Sequence, residues 1–257
     1  MKKIIKRTLI ALLVIAIAAG GYGLWIYYGT PTSNPDNYTR VGDIPAPSGF
    51  ERTEDDFTFE RNLPLKPKGA KVELVAGGNA RMQSTCYAVV DLPMLSNAEQ
   101  CADVCMRLRA EKLFAAGQYS SIRFKDVNGN TLQYRGGASR NALNNYLRNL
   151  YGVASTFSLA RDMKPRAIKD IRPGDVFVYP APAGLPYGHA IMVVDVLDNG
   201  KGQKALLLAE GNTPARNIHI MRNTANPFTS PWFIIDDDDT EMLFSVFRFK
   251  ASDLKHF

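Results

Sequence analysis

"GDVFVYPAPAGLPYGHAIMVVDV", residues 174–196, holds two runs of strand-forming residues joined by a Pro/Gly-rich loop. The first run, GDVFVY (174–179), opens on a Gly-Asp pair, and the second, HAIMVVDV (189–196), opens directly after Gly188. Val, Ile, Phe and Tyr fit a pleated surface, while Gly, Pro and Asp bound such segments. KALLLAE (204–210), NIHIM (217–221) and MLFSVFRF (242–249) follow in the same style, several of them separated by tight polar turns. This spacing predicts a mostly antiparallel sheet. His189 is one of only three histidines in the chain, and it stands where the loop ends and an apolar strand begins.

Upstream, the pattern is mixed. DFTFE (56–60), KVELV (71–75) and TCYAVVDL (85–92) read as short strands. Ser96 or Asn97, with Glu99 or Gln100 three residues on, resembles a capping box, and the helix it predicts runs to Gly117. SIRFKDVNG (121–129) reads as a strand and turn, and residues 139–163 are mainly helical. Helices ahead of a mostly antiparallel sheet predict an α+β fold.

The chain has 257 residues, 46% apolar and 22% charged, enough for one large domain with a sizeable core. Four charges of the net +6 belong to Lys2, Lys3, Lys6 and Arg7, which leaves +2 for the rest. No basic stripe interleaved with aromatics is present, which argues against a nucleic-acid partner. Residues 8–28 carry no charge, and as a helix they span roughly 30 Å, a bilayer's hydrocarbon thickness. With positive charge retained inside, the chain is expected to be a signal anchor (1–28) in the cytoplasmic membrane, single-pass, with its C-terminal part on the periplasmic side. A cleaved signal peptide ending at Ala16-Ile17-Ala18 is the rival reading, weakened by the ten apolar residues that follow. Residues 29–49 read as a linker, and 50–257 as one extracytoplasmic domain.

The chemistry centres on Cys101. It falls in the first or second turn of its predicted helix, where the helix dipole favours a thiolate. A thiolate needs a base, for which His189 is placed, and the base needs an orienter. Glu210 ends the next strand and could lie beside His189. Cysteine at a helix N-terminus, histidine on one strand and a polar group on the next is a papain-type layout. Asn212 is an alternative orienter, and Gln100 is a candidate oxyanion donor together with the Cys101 backbone N–H. Arg107 and Arg109 could clamp a substrate carboxylate, or form helical ion pairs with Asp103 and Glu111. The reading requires no cofactor and no metal.

GDVFVY, GHAIMVVDV and LLLAEGN together resemble the CHAP amidases and the NlpC-like cell-wall peptidases over about half the chain. A closer likeness is to an uncharacterised bacterial family, domain of unknown function 4846. It rests on Gln100-Cys101-Ala102-Asp103, Arg107-Leu108-Arg109-Ala110-Glu111, Gly174-Asp175-Val176-Phe177, Gly188-His189-Ala190, Pro214-Ala215, Ile218-His219 and Ser230-Pro231-Trp232. The first resemblance implies a papain-like fold and a cell-wall peptide or amide as substrate; the second covers nearly all of 50–257 and implies no reaction. Glu210-Gly211 stands where the second family usually has Gln-Ser, and Cys105 is peculiar to this chain, so neither the third site member nor a role for Cys105 carries over.

Simpler readings stand beside these. Cys101, Cys105 and Leu108 share a helical stripe, as core residues do. His189 could satisfy backbone carbonyls. His219 lies opposite Ile218 and Ile220 and reads either as a second polar member of the site or, by preference, as the solvent side of a strand. DDDD (236–239) reads as a solvated loop rather than a calcium site. Cys101 and Cys105 do not have zinc-knuckle spacing. If a disulfide forms, Cys86–Cys105 is the sensible pair. The enzyme reading therefore competes with a binding or scaffolding module that keeps the cleft and has lost catalysis.

Overall fold

The computed structural model describes residues 2–52, 58–181 and 187–257. The elements are α1 (Lys2–Tyr28), β1 (Glu51–Arg52), α2 (Thr58–Arg61), β2 (Cys86–Val89), α3 (Cys101–Ala115), β3 (Arg123–Lys125), β4 (Thr131–Gln133), α4 (Arg140–Tyr151) and α5 (Thr156–Asp162). Then come β5 (Lys164–Pro165), β6 (Val176–Tyr179), β7 (His189–Asp198), β8 (Gln203–Glu210), β9 (His219–Met221), β10 (Phe233–Asp236), β11 (Glu241–Phe244), β12 (Phe247–Lys250) and β13 (Leu254–His256). The main sheet runs β2-β9-β8-β7-β6-β13-β5, with β1 added to β7 and β10 to β8. Each of these pairings is antiparallel. The fold is mixed α and β, with an apolar N-terminal helix.

The centre of the sheet is covered on both faces, which is why its strands read as unbroken apolar runs. Successive side chains point to opposite faces. Ala190, Met192 and Val194 of β7 join Ala205, Leu207 and Ala209 of β8 under Val104 and Leu108 of α3 and Leu147 of α4. The alternate residues, Ile191, Val193, Leu206 and Leu208, pack with Phe233, Phe244 and Phe249. α4 reaches its side of this core through Leu143, Leu147 and Leu150, at helical spacing, after Ser139 caps its first turn.

Several elements differ from the sequence reading. α3 begins at Cys101, because Asp103 accepts from the Gln100 N–H at 2.9 Å and closes the cap there. Glu99, which completes the apparent capping box, bonds the Leu95 N–H and Arg107 instead. MLFSVFRF is two strands: Ser245 at φ 59 turns the chain, and β11 pairs with β12. KVELV makes only isolated bridges, Glu73 to Asn79 and Leu74 to Arg216. Of DFTFE, residues 56 and 57 lie outside the described residues, and 58–60 open α2 rather than a strand. The region read as a linker packs into the body, with Val41 and Ile44 in the main core and Asn34 fully buried. All three cysteines are free and buried, so Cys86 and Cys105 are not paired. Cys86 lies in a satellite core with Val72 and Val89, whereas Cys105 belongs to the main core.

Candidate active site

Two glycines let the end of the sheet pack closely, Gly188 against the end of β6 and α5 and Gly211 against the start of α3. A Cβ on Gly188 would lie 2.3 Å from the Tyr179 carbonyl and 2.7 Å from Thr156 Oγ1. A Cβ on Gly211 would lie 2.5 Å from Val104 Cγ2 in the first turn of α3. Glycine is the residue that permits such approaches. His189 and Glu210 are each adjacent to one of these glycines, and the Gly211 approach sets the Glu210 end of β8 against the first turn of α3.

Glu210 is fully enclosed and shared by two imidazoles. His189 Nε2 lies 3.0 Å from its Oε2, and His219 Nε2 lies 3.1 Å from its Oε1. Burial alone would raise the Glu210 pKa; the two histidines outweigh it and bring it down to about 2. Burial likewise disfavours charge on His189, but its contacts with Cys101 and Glu210 carry its pKa up to about 9. With Nε2–H donating to Glu210, the nitrogen left for the Cys101 thiol is Nδ1. The ring is held flat against Phe247 of β12, with centroids 3.7 Å apart and planes 19° from parallel.

Cys101 is 7% exposed, on the wall of a cleft of about 320 Å³ lined also by Gln100, Tyr151, Phe157, Tyr187 and Thr213. Its backbone N–H belongs to the first helical turn, which has no intrahelical acceptor. Thr213 donates to Gln100 Oε1 at 2.9 Å, which turns the amide N–H2 of Gln100 into the donor it can offer. Asp103 also lines the cleft. Burial, opposed by the Gln100 N–H and reinforced by Glu99, pushes its pKa up to about 8. Cys101, Gln100 and Asp103 thus face the cleft, while His189 and Glu210 stand behind Cys101, outside its lining.

The other candidates fall elsewhere. Arg107 is buried against Glu99 at 2.6 Å and the Pro93 carbonyl at 2.8 Å, and it approaches Glu111 at 3.9 Å. It does not pair with Asp103 and does not line the cleft. Arg109 sits over the Phe257 ring, lining a different cavity. Neither arginine can clamp a substrate beside Cys101. Asn212 Oδ1 accepts from the Thr213 N–H, a local turn. Asp236 and Asp237 of the DDDD run engage Gln203 and Lys204. Among the described residues, no cluster of three or more His, Cys, Asp and Glu side chains is arranged to hold a metal.

His219, which the sequence offered as a second polar member of the site while favouring a solvent-facing strand position, does contact Glu210, and Phe247 escaped the sequence reading. His219 is on the face opposite Ile218 and Ile220, as expected, but that face is covered, and His219 is 1% exposed. The signal was present in register: β8 pairs with β9 so that Glu210 stands directly across from His219. Phe247 had no sequence signal, because the hairpin that delivers it was read as one strand.

The fold and cleft define an α+β domain with a buried Cys-His-Glu cluster at the end of an antiparallel sheet. The chain belongs to the family described as a domain of unknown function (4846), whose model matches residues 41–138 and 135–256. No curated protein and no solved structure matches the chain.

Proposed function

We propose that this protein is a membrane-anchored thiol hydrolase of papain-like arrangement, acting on an amide bond through Cys101, His189 and Glu210. The observation that carries it is the His189 imidazole, set between the Cys101 thiol and the Glu210 carboxylate beside an open cleft. Cys101 Sγ, its proton already held by His189, attacks the carbonyl carbon. The backbone N–H of Cys101 and the Gln100 amide hold the oxyanion. The C–N bond breaks as His189 returns the proton to the departing amine. Water then cleaves the thioester, giving the acid and the free thiol. Glu210 fixes the tautomer of His189, and His219 takes the second oxygen of Glu210 and fixes its plane. Resemblance to the CHAP and NlpC-like enzymes supports a cell-wall peptide as substrate. The basic residues before the apolar helix support placement of the domain on the periplasmic side.

The test is native-state alkylation of the full chain in nanodiscs, read for each cysteine by mass spectrometry. Cys101 should react with iodoacetamide at pH 7 while Cys86 and Cys105 stay unmodified; burial pushes the Cys86 thiol up to about 12 and the Cys105 thiol well above its usual value. His189→Ala should slow Cys101 about tenfold or more, and Cys101→Ser should abolish release of peptide from muropeptides. If Cys101 reacts only after denaturation, the catalytic reading fails and a non-catalytic binding module is the better account.

A further inference from the structure

Outside the lining of the Cys101 cleft, residues 223–232 form a loop, NTANPFTSPW, with no charged side chain. Its base is buried and its tip is not. Asn223 Nδ2 donates to the Trp232 carbonyl at 2.8 Å, and Asn223 Oδ1 accepts from the Asn226 N–H at 3.0 Å. Asn226 Oδ1 accepts from the Phe228 N–H at 3.1 Å, and the Trp232 N–H donates to Thr229 O at 2.8 Å. This scaffold of short polar bonds presents Phe228 at 97% exposure, the highest among the large apolar side chains of the described residues. An aromatic ring offered wholly to water by an ordered loop points to a partner.

The neighbouring element says which partner. Ile4–Tyr28 of α1 is long and apolar enough to cross a bilayer. Its last turns lie against this loop. The Tyr22 hydroxyl donates to the Thr224 carbonyl, and Tyr22 stacks on Trp25. Tyr22, Trp25, Thr224 and Pro227 line one cleft of about 530 Å³. Tyr22 lies roughly 9 Å along the helix axis before Tyr28 at 1.5 Å per residue. A segment that touches Tyr22 is therefore below the level of the helix end, in the depth range where Trp and Tyr mark the membrane interface. Arg81 donates to the Tyr27 hydroxyl at 2.7 Å, a cation at headgroup level.

We propose that the 223–232 loop is a second membrane contact, with Phe228 inserted among the lipids that surround α1, so that the domain is held flush on the bilayer rather than swinging from a tether. The proposal rests on α1 lying in a bilayer and is independent of the reading of Cys101. Burying one aromatic ring at an interface gives a weak contact alone, but α1 supplies it at high local concentration.

The experiment places a nitroxide at Phe228→Cys in the full chain, in phosphatidylcholine nanodiscs, with Cys101→Ser so that the candidate nucleophile takes no label. Leu13→Cys in the same background reports the middle of α1. Collision with oxygen should exceed collision with a water-soluble nickel chelate at both positions. If Leu13 reports lipid and Phe228 reports water, the loop stands clear of the membrane and the proposal is overturned. If both report water, α1 is not in the bilayer, and the proposal falls with the anchor. Spin–spin broadening at Phe228 in discs holding two chains, with water contact in discs holding one, would assign the ring to a second copy and likewise overturn the lipid contact.

Discussion

β7 carries a buried charged cluster at each end, and the two are built differently. Near its end, Asp195 is wholly buried, with Arg52 Nε at 2.9 Å, Arg61 Nε at 3.1 Å and the Val196 N–H at 3.0 Å. At its start, His189 meets Glu210 and Cys101, with His219 behind. The first cluster pairs a carboxylate with two guanidinium groups that stay charged at any physiological pH. It has no nucleophile, and none of its members lines the Cys101 cleft. The second contains a thiol, two imidazoles and a neighbouring acid, Asp103, raised to about 8, and it borders open space. Buried charge alone thus marks nothing; titratable groups beside a nucleophile and a cleft do.

The contrast is broken most forcefully at Asp195. Asp195→Ala removes the buried carboxylate that two guanidinium groups share, although Arg52 keeps the Ile44 carbonyl at 2.7 Å. The expected loss is about 3 kcal/mol of stability, at the low end for a broken buried pair because both arginines keep some water. Chemical denaturation of the full chain measures it. Alkylation of Cys101 in the still-folded fraction should be unchanged. If it slowed as in His189→Ala, the two ends of β7 would be coupled rather than independent.

The sequence made one of these ends legible and left the other hidden. His189 and Glu210 were visible because each closes or opens an apolar run next to a glycine. Asp195 sits inside such a run, and its partners lie on β1 and α2, far away in sequence, where no local pattern connects them. The two-sided core was readable from the continuous runs of β7 and β8. The β11–β12 hairpin was not, because Ser245 adopts a left-handed conformation without the Gly or Asn that announces one. The start of α3 was misplaced because Ser96 and Glu99 copy a capping box while Glu99 is engaged by Arg107. Helical spacing offered Arg107 an ion pair with Glu111, which forms at 3.9 Å, but long-range partners such as Pro93 and Phe257 cannot be inferred from it.

Glu210→Gln sharpens the other end of the strand. The amide can accept from only one histidine, so Cys101 alkylation at pH 7 should fall roughly tenfold. Stability carries a second readout. The Glu210 pKa is about 2 in the folded chain against an ordinary 4.5, so its contribution is complete above pH 4.5 and is lost as pH falls through about 2. The stability gap between the native chain and Glu210→Gln should therefore shrink between pH 4.5 and 2. His189 behaves oppositely: its pKa rises from 6.5 to about 9, so its contribution is complete below pH 6.5 and fades as pH climbs through about 9. A gap that stayed constant with pH at the acid end would mean that Glu210 is not ionised between its two histidines.

The smallest effect is expected at Phe247. Its ring covers one face of His189, but the imidazole is also fixed through Nε2 to Glu210. Phe247→Ala should cost about 1–2 kcal/mol, the value of a stacked aromatic pair with some lost burial. Cys101 alkylation should slow only about two- to fivefold, since the hydrogen bond still sets the tautomer and the ring merely gains freedom to tilt. Phe247→Leu, which restores bulk without a flat face, should recover most of the stability and little of the rate. If alanine at 247 slowed Cys101 as much as alanine at 189, the stacked ring rather than the carboxylate would be the principal restraint on the imidazole. The ordering of His189 would then come from the hairpin face of the sheet, and Glu210 would resemble Asp195: a buried charge satisfied by its neighbours and remote from the chemistry.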